Sequence, residues 1–415
     1  METNAPSLRA DADRIIRAAL LASMPDKAVQ DALSGRDFGG GRLKLLAVGK
    51  AGWQMAKAAC DALGDRIDQG VVITKYQHGK GELPNTRVFE AGHPVPDENG
   101  VTATKAAVDM VRGLTAEDTV LFLVSGGGSA LFEQPLVPLA ALAGINRQLL
   151  ACGADIAQMN TVRKRLSAVK GGRFAALCAP ARVLTIALSD VLGDNPAVIA
   201  SGPAYPDSTT CADALQIVRQ YGLQLDAETL RLLGQETPKT LDNVETVIAG
   251  SVRRLCAAAA DECRTLGYEP VLLTDSLCCT ARDAGSFLAS VAQTHKDAET
   301  SLAYIAGGET VVKLSGKGLG GRNQELALAA APGLDGLAGT ALFSVGSDGT
   351  DGPTDAAGGY VDGGTAQALR GKAMDLQAYL DDNDSYHALA ACGGLIVTGP
   401  TGTNVNDLVV LLIRR

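Results

Sequence analysis

The chain has 415 residues, 46% of them hydrophobic and 20% charged. That is the composition of a globular rather than a disordered protein, and the length suggests two or three domains. With 37 Lys+Arg against 46 Asp+Glu the formal net charge is −9, and aromatic side chains are few, 1 Trp, 8 Tyr and 7 Phe, which argues against binding to nucleic acid or to an anionic membrane.

The N-terminus has no basic start followed by an apolar run, so no secretory signal of the usual form is expected. Residues 11–34 read as one amphipathic helix with Ile15, Ile16, Ala19 and Leu20 on one face. Residues 43–48 are a short apolar strand, Gly49-Lys50-Ala51-Gly52 a tight loop, and 53–63 a helix. The same grammar recurs with strands at 71–74, 119–124 and 183–188. The third of these four strands runs into Ser125-Gly126-Gly127-Gly128-Ser129-Ala130, and the fourth into Ser189-Asp190-Val191-Leu192-Gly193-Asp194. Strands too apolar to have a wet face, alternating with helices, imply a mostly parallel sheet covered on both sides.

Residues 205–245 are more polar and mostly helical, and a domain boundary is expected there. Strands at 244–249 and 270–274 then flank an Ala-rich helix, 252–266. Residues 303–315 look like a hairpin turning at Gly307-Gly308-Glu309. The loop 316–321 leads into a helix, 323–331. A strand at 340–345 ends in an Asp-rich, Gly-rich loop. The expected domains are 1–240 and 241–415. The last strand, 408–413, is assignable to either domain, including a return to the first.

Ligands of open parallel sheets sit at the carboxyl ends of the strands. There Gly126, Gly127 and Gly128, between Ser125 and Ser129, let backbone N–H groups approach phosphate oxygens, helped by the start of the following helix. Lys50, between a strand and a helix, reaches a phosphate as a point charge. It is not a Walker A lysine, because Ala51 follows it. The stretch 159–174 holds Arg163, Lys164, Arg165, Lys170 and Arg173 with no acid among them, fit for a carboxylate or phosphate or else a solvated helix face. Asp190, Asp194, Asp348, Asp351 and Asp355 follow strands. They suit Mg²⁺, which needs only one or two protein carboxylates, or a base for a hydroxyl, or helix caps and turns.

Gly316-Lys317-Gly318-Leu319-Gly320-Gly321 formally matches GxGxxG, the pattern of a dinucleotide-binding turn, with Asp348 as the later acid. Nine scattered cysteines with no CxxC read as reduced core thiols rather than a zinc site. His93, in Gly92-His93-Pro94-Val95-Pro96-Asp97, is a loop-stabilising or substrate-side residue, and the other three histidines read as structural or exposed.

The runs Val48-Gly49-Lys50-Ala51, Gly92-His93-Pro94-Val95-Pro96-Asp97, Ser125–Leu131, Asn160-Thr161-Val162-Arg163-Lys164 and Ser201-Gly202-Pro203 resemble those of the glycerate 2-kinases of the MOFRL type. So do Gly320-Gly321-Arg322-Asn323-Gln324-Glu325, Ser347-Asp348-Gly349-Thr350-Asp351-Gly352 and 398–408 in the second half. The resemblance runs from about residue 12 to the C-terminus. It implies an α/β protein with a larger Rossmann-like parallel-sheet domain, a smaller α/β domain and an active site in the interdomain cleft. It also implies transfer of the ATP γ-phosphate to the 2-hydroxyl of D-glycerate, giving 2-phosphoglycerate, with Mg²⁺.

On that footing Lys50 and Arg322 act on the transferring phosphate, and Asp190 orients or deprotonates the hydroxyl. Ser125, Gly126, Gly127, Gly128 and Ser129 cradle phosphate oxygens. Arg163 or Lys164 holds the substrate carboxylate, and Asp348 and Asp351 serve the metal. ATP and glycerate are the expected partners and the cytoplasm the expected location, with a homo-oligomer left open. Members of this family also carry the label hydroxypyruvate reductase, so an NAD(P)H-dependent reductase is the alternative. A non-catalytic sensor on the same fold is a third class.

Overall fold

The computed structural model describes residues 7–415, which form two compact units. One is Pro25–Ala249. The other joins the described residues up to Met24 with Gly250–Arg415. The expected boundary at 240/241 therefore moves to the end of a strand, and the N-terminal helix changes sides. The expected single helix over 11–34 is two, α1 (Leu8–Ala22) and α2 (Pro25–Leu33), and the division between units falls in the gap. Pro25 has no N–H to continue α1 but suits the first position of a new helix.

The first unit carries a six-stranded sheet of β1 (Leu43–Val48), β2 (Gln69–Lys75), β3 (Thr86–Ala91), β4 (Thr119–Val124), β5 (Arg182–Leu188) and β6 (Val244–Gly250). Their order is β3-β2-β1-β4-β5-β6, and the pairs from β3 to β5 are parallel. The strand over 244–249 thus closes the first sheet, where the sequence reading had placed it in the second half. β1 and β4 are buried at every position, as a strand covered on both faces must be. One face is filled around Phe122, Phe132 and Phe174, whose centroids lie 5.2–6.0 Å apart. The helices Leu139–Ala151, Ile156–Arg165, Cys211–Tyr221 and Ala227–Leu233 share a separate apolar cluster, which is why the 205–245 region looked polar yet helical. The chain leaves β1 toward β2 and β3, then crosses back to β4 on the other side. This β1/β4 junction is the topological switch point.

The second unit's sheet runs β11-β10-β9-β12-β8-β7, from β7 (Glu269–Leu277), β8 (Leu302–Gly308), β9 (Thr340–Gly346), β10 (Gly358–Asp362), β11 (Leu395–Ile396) and β12 (Asp407–Ile413). It is mixed: β7 and β8 are parallel, while β12 is antiparallel to both β8 and β9. The last strand lies inside this sheet and does not return to the first. The hairpin expected over 303–315 does not form. After Gly308 the chain runs on beside the end of β7, with Glu309 N–H donating to Leu277 O and Val311 N–H to Cys279 O.

Candidate functional site

At the switch point the loops after β1 and β4 are tied to each other. Lys50 N–H donates to Gly126 O at 2.8 Å, and Ala51 N–H donates to Ser125 Oγ at 3.1 Å. Gly49, at φ +119°, lies so close to Ser125 that a side chain there would overlap it. The β2 end braces the same loop, with Thr74 Oγ1 donating to Gly49 O and His78 Nδ1 at 3.0 Å from Lys50 O. Lys50 makes no ion pair among the described residues.

Each glycine of the β4 loop has its own reason. A Cβ on Gly126 would overlap the Asp190 carboxylate. One on Gly127, at φ +87°, would lie 3.0 Å from the His93 ring and 3.2 Å from Lys50 Cγ, and one on Gly128 2.7 Å from Ala200 Cβ. Lys50, His93, Asp190 and the glycine loop therefore meet at the carboxyl ends of β1, β3, β4 and β5. The N–H groups of Gly126 and Gly127 donate to no acceptor among the described residues, so they remain available to an anion. The helix that follows, Gly128–Leu131, has only 4 residues. The sequence reading counted on its dipole, but a helix this short adds little beyond its own N–H groups.

Burial raises the Asp190 carboxyl above the usual carboxylate range, against the pull of Lys50. Burial, with Lys50, Lys75 and His78 close by, holds the His93 imidazole below the usual histidine value. Burial thus shifts the two groups in opposite directions, the carboxyl up and the imidazole down.

The basic run 159–174 is neither a solvated face nor a uniform binding surface. Lys164 is buried and donates to Asp207 Oδ1 at 3.1 Å. A carboxylate partner already inside the fold corrects its expected substrate role. Arg165 is fully buried on Thr161, Thr209 and Glu236, and Lys170 on Glu133 and Phe132 O. Arg163 differs. One nitrogen reaches Ser129 O at 3.4 Å, and its buried Nε has no partner. Burial lowers its hold on the proton, opposed by Glu133. One turn before it, Asn160 accepts from Ser201 Oγ at 2.9 Å, and Ser201 Oγ lies 3.0 Å from Ser129 Oγ. Ala200 and Ser201 sit at φ +50° and +62°, uncommon for residues with a Cβ and found where a local geometry is enforced.

The second unit holds the other assigned residues. Arg322 opens the helix Arg322–Leu334 and grips Asp407 with two nitrogens, Nε at 2.6 Å and Nη2 at 3.0 Å, while Nη1 stands 3.3 Å from Glu309. Burial works against its charge, but Asp407, Glu309 and Asp351 outweigh it and raise its proton affinity. Burial also raises the Asp407 carboxyl, against Arg322.

Asp351 is a cap at the start of that helix. Its carboxylate accepts from Asn323 N–H at 3.1 Å, Gln324 N–H at 2.9 Å and Gln324 Nε2 at 3.0 Å. With both oxygens taken and only 3% exposed, it does not fit a metal ion. Asp348 Oδ1 accepts from Thr350 N–H and Oγ1 in an Asx-turn. It fits only as a single carboxylate beside water and phosphate oxygens. No group of three or more His, Cys, Asp or Glu suited to a metal occurs among the described residues. Asp351→Ala should cost about 1–3 kcal/mol by removing a buried cap. A urea titration showing an unchanged midpoint would exclude the capping role.

The GxGxxG loop has no room for a pyrophosphate. Gly316 N–H donates to Asn383 Oδ1, Lys317 N–H to Asp382 Oδ1 and Gly318 N–H to Asp382 O. Side chains on Gly316, Gly318 and Gly320 would overlap residues 382–385. These glycines serve close packing of the chain on itself, so the motif gives the reductase alternative no structural support.

His93, Asn160, Ser201, Glu309 and Asp407 are the participants to which sequence reasoning gave no definite role. All lie in quoted motifs, but their partners are remote in sequence.

A family model described as a domain of unknown function, DUF4147, matches residues 11–234, and the MOFRL family model matches residues 302–407. The chain is 50% identical to the D-glycerate 2-kinase of Thermotoga maritima, over 98% of this chain and 99% of that one. It is 40% identical to a putative hydroxypyruvate reductase of Agrobacterium vitis, over 100% of this chain and 96% of that one. A crystal structure of glycerate kinase from Thermotoga maritima superposes with a TM-score of 0.95 at 50% identity, covering 98% of this chain and 99% of that one.

Proposed function

Since the chain belongs to the glycerate 2-kinase family of the MOFRL type, and is a glycerate kinase, we propose that it moves the γ-phosphate of ATP to the 2-hydroxyl of D-glycerate and releases 2-phosphoglycerate and ADP. The observation that carries this reading is the meeting of Lys50, the two unspent N–H groups of Gly126 and Gly127, and Asp190 at the switch point.

Phosphoryl transfer asks for positioning and for positive charge around the group in flight. Lys50 supplies a point charge that makes no ion pair among the described residues, and the glycine N–H groups hold phosphate oxygens. Asp190, with its raised proton affinity, accepts the hydroxyl proton as the oxygen bonds to phosphorus and ADP departs with the electron pair of the broken bond. Arg163, with an unsatisfied buried nitrogen, takes the glycerate carboxylate. Ser129 keeps its place beside Arg163 through Ser201 and Asn160. Arg322, held flat by Asp407, is assigned to the phosphoryl charge through its remaining hydrogens. Mg²⁺ would neutralise phosphate charge with Asp348 as its one protein carboxylate.

No helix among the described residues is long and apolar enough to cross a membrane. We place the enzyme in the cytoplasm, where ATP is at hand and the nine unpaired cysteines stay reduced. Two assays on one purified sample test the reaction class. ADP release that requires D-glycerate, with no NADH or NADPH consumed on hydroxypyruvate, is the expected pair. Cofactor oxidation without ADP release would overturn it.

A further inference from the structure

His93 follows β3 and reaches the glycine loop from the side opposite Asp190. A methyl group on Gly127 would sit 3.0 Å from His93 Cδ2, 3.2 Å from Nε2 and 3.2 Å from Lys50 Cγ. The imidazole, the lysine stem and the Gly127 backbone thus converge on one spot. The ring is partly buried, yet neither nitrogen has a hydrogen-bond partner among the described residues. Two N–H groups beside it, those of Gly126 and Gly127, are likewise unspent. Donors gathered at one place with no protein partner are open to an anion.

The charged and titratable groups that bear on His93 are Lys50 from the β1 loop, and Lys75 and His78 from the end of β2. No carboxylate is among them. Asp97, in the same loop as His93, is occupied by Tyr76 and the Gly100 N–H. Burial and the neighbouring lysines hold the imidazole below the usual histidine value when the site holds no anion. Two negative charges beside the ring would reverse that balance.

We propose that His93 completes the anion cradle, donating an N–H to phosphate oxygens next to Lys50 and taking up a proton from solvent as the anion binds. This rests on the phosphoryl-transfer reading above. A neutral imidazole at the empty site adds a donor without adding a third repelling charge beside Lys50 and Lys75. Protonation on binding then strengthens the contact. Ligand affinity becomes coupled to pH near neutrality, with anions held more tightly as pH falls.

Sulfate is the suitable test anion, because its charge is constant across the range in which histidine titrates. The chain has only 4 histidines, so the C2–H resonance of His93 is assignable in the wild-type protein by elimination with His78→Asn, His295→Asn and His387→Asn. Its titration midpoint should lie below that of an ordinary histidine without sulfate and rise by about 1–3 pH units at saturating sulfate. A midpoint that sulfate leaves in place would overturn the proposal. In parallel, sulfate affinity by calorimetry should increase on acidification more steeply in wild type than in His93→Asn, which keeps a donor but takes no proton and leaves only the Asp190 carboxyl to respond. The same pH dependence in both proteins would also overturn it. Neither readout needs turnover, so a protein that phosphorylates glycerate with an unmoved His93 contradicts this inference alone. A moved His93 in a protein that phosphorylates nothing contradicts the proposed reaction alone.

Discussion

Lys50→Ala is expected to lower kcat for glycerate phosphorylation by at least ~10²-fold, the scale of losing one transition-state contact, with thermal stability unchanged. The second half of that expectation comes from how Lys50 is held. Its N–H to Gly126 O and its carbonyl to His78 are backbone contacts that alanine preserves. Its side chain makes no ion pair among the described residues. Activity and stability should therefore separate cleanly, with kcat and kcat/KM falling together. Near-wild-type kcat would remove Lys50 from the chemistry. A large drop in Tm would show that the ammonium serves the fold instead.

Arg322→Ala should also cost at least ~10²-fold in kcat, but its signature differs. Arg322 is tied bidentately to Asp407, whose side chain is 5% exposed against 35% for Arg322. Removing the guanidinium strands a buried carboxylate next to Asp351, so about 2–3 kcal/mol of stability should go too, less than a fully buried pair would lose because Arg322 is partly solvated. Arg322→Ala with Asp407→Asn should recover much of that stability without recovering activity. If the double variant regains turnover, Arg322 acts only by neutralising Asp407. Arg322→Lys keeps the charge but loses the fork, and should stay well below wild type.

The sheet strands were legible because parallel strands covered on both faces must be apolar at every position. The runs at 43–48, 119–124 and 183–188 have no other reading. The glycine loop after β4 was legible as a tight turn at the carboxyl end of a strand, but its three glycines answer three different neighbours, Asp190, His93 and Ala200, which only the fold brings near. Arg163 and Lys164 show the limit most plainly. Adjacent helical residues point about 100° apart. One therefore faces Ser129 while the other enters a buried pair with Asp207, 43 residues on, and no local pattern tells which. Asp351 looked like a metal ligand because its partners at the start of the helix Arg322–Leu334 lie 27 and 28 residues earlier. The helix break at Pro25 is written in the sequence, as a residue with no N–H to continue α1, while the apolar face that suggested one helix, Ile15, Ile16, Ala19 and Leu20, lies wholly before it.

The most direct test of the account is proton-coupled ³¹P NMR of the product formed from D-glycerate and Mg-ATP. A phosphate ester at the 2-hydroxyl has one vicinal proton and gives a doublet, whereas one at the 3-hydroxyl has two and gives a triplet. The expected signal is a doublet that grows in step with ADP. A triplet would contradict the assigned hydroxyl while leaving a glycerate kinase, and the absence of any new ester would contradict phosphoryl transfer itself.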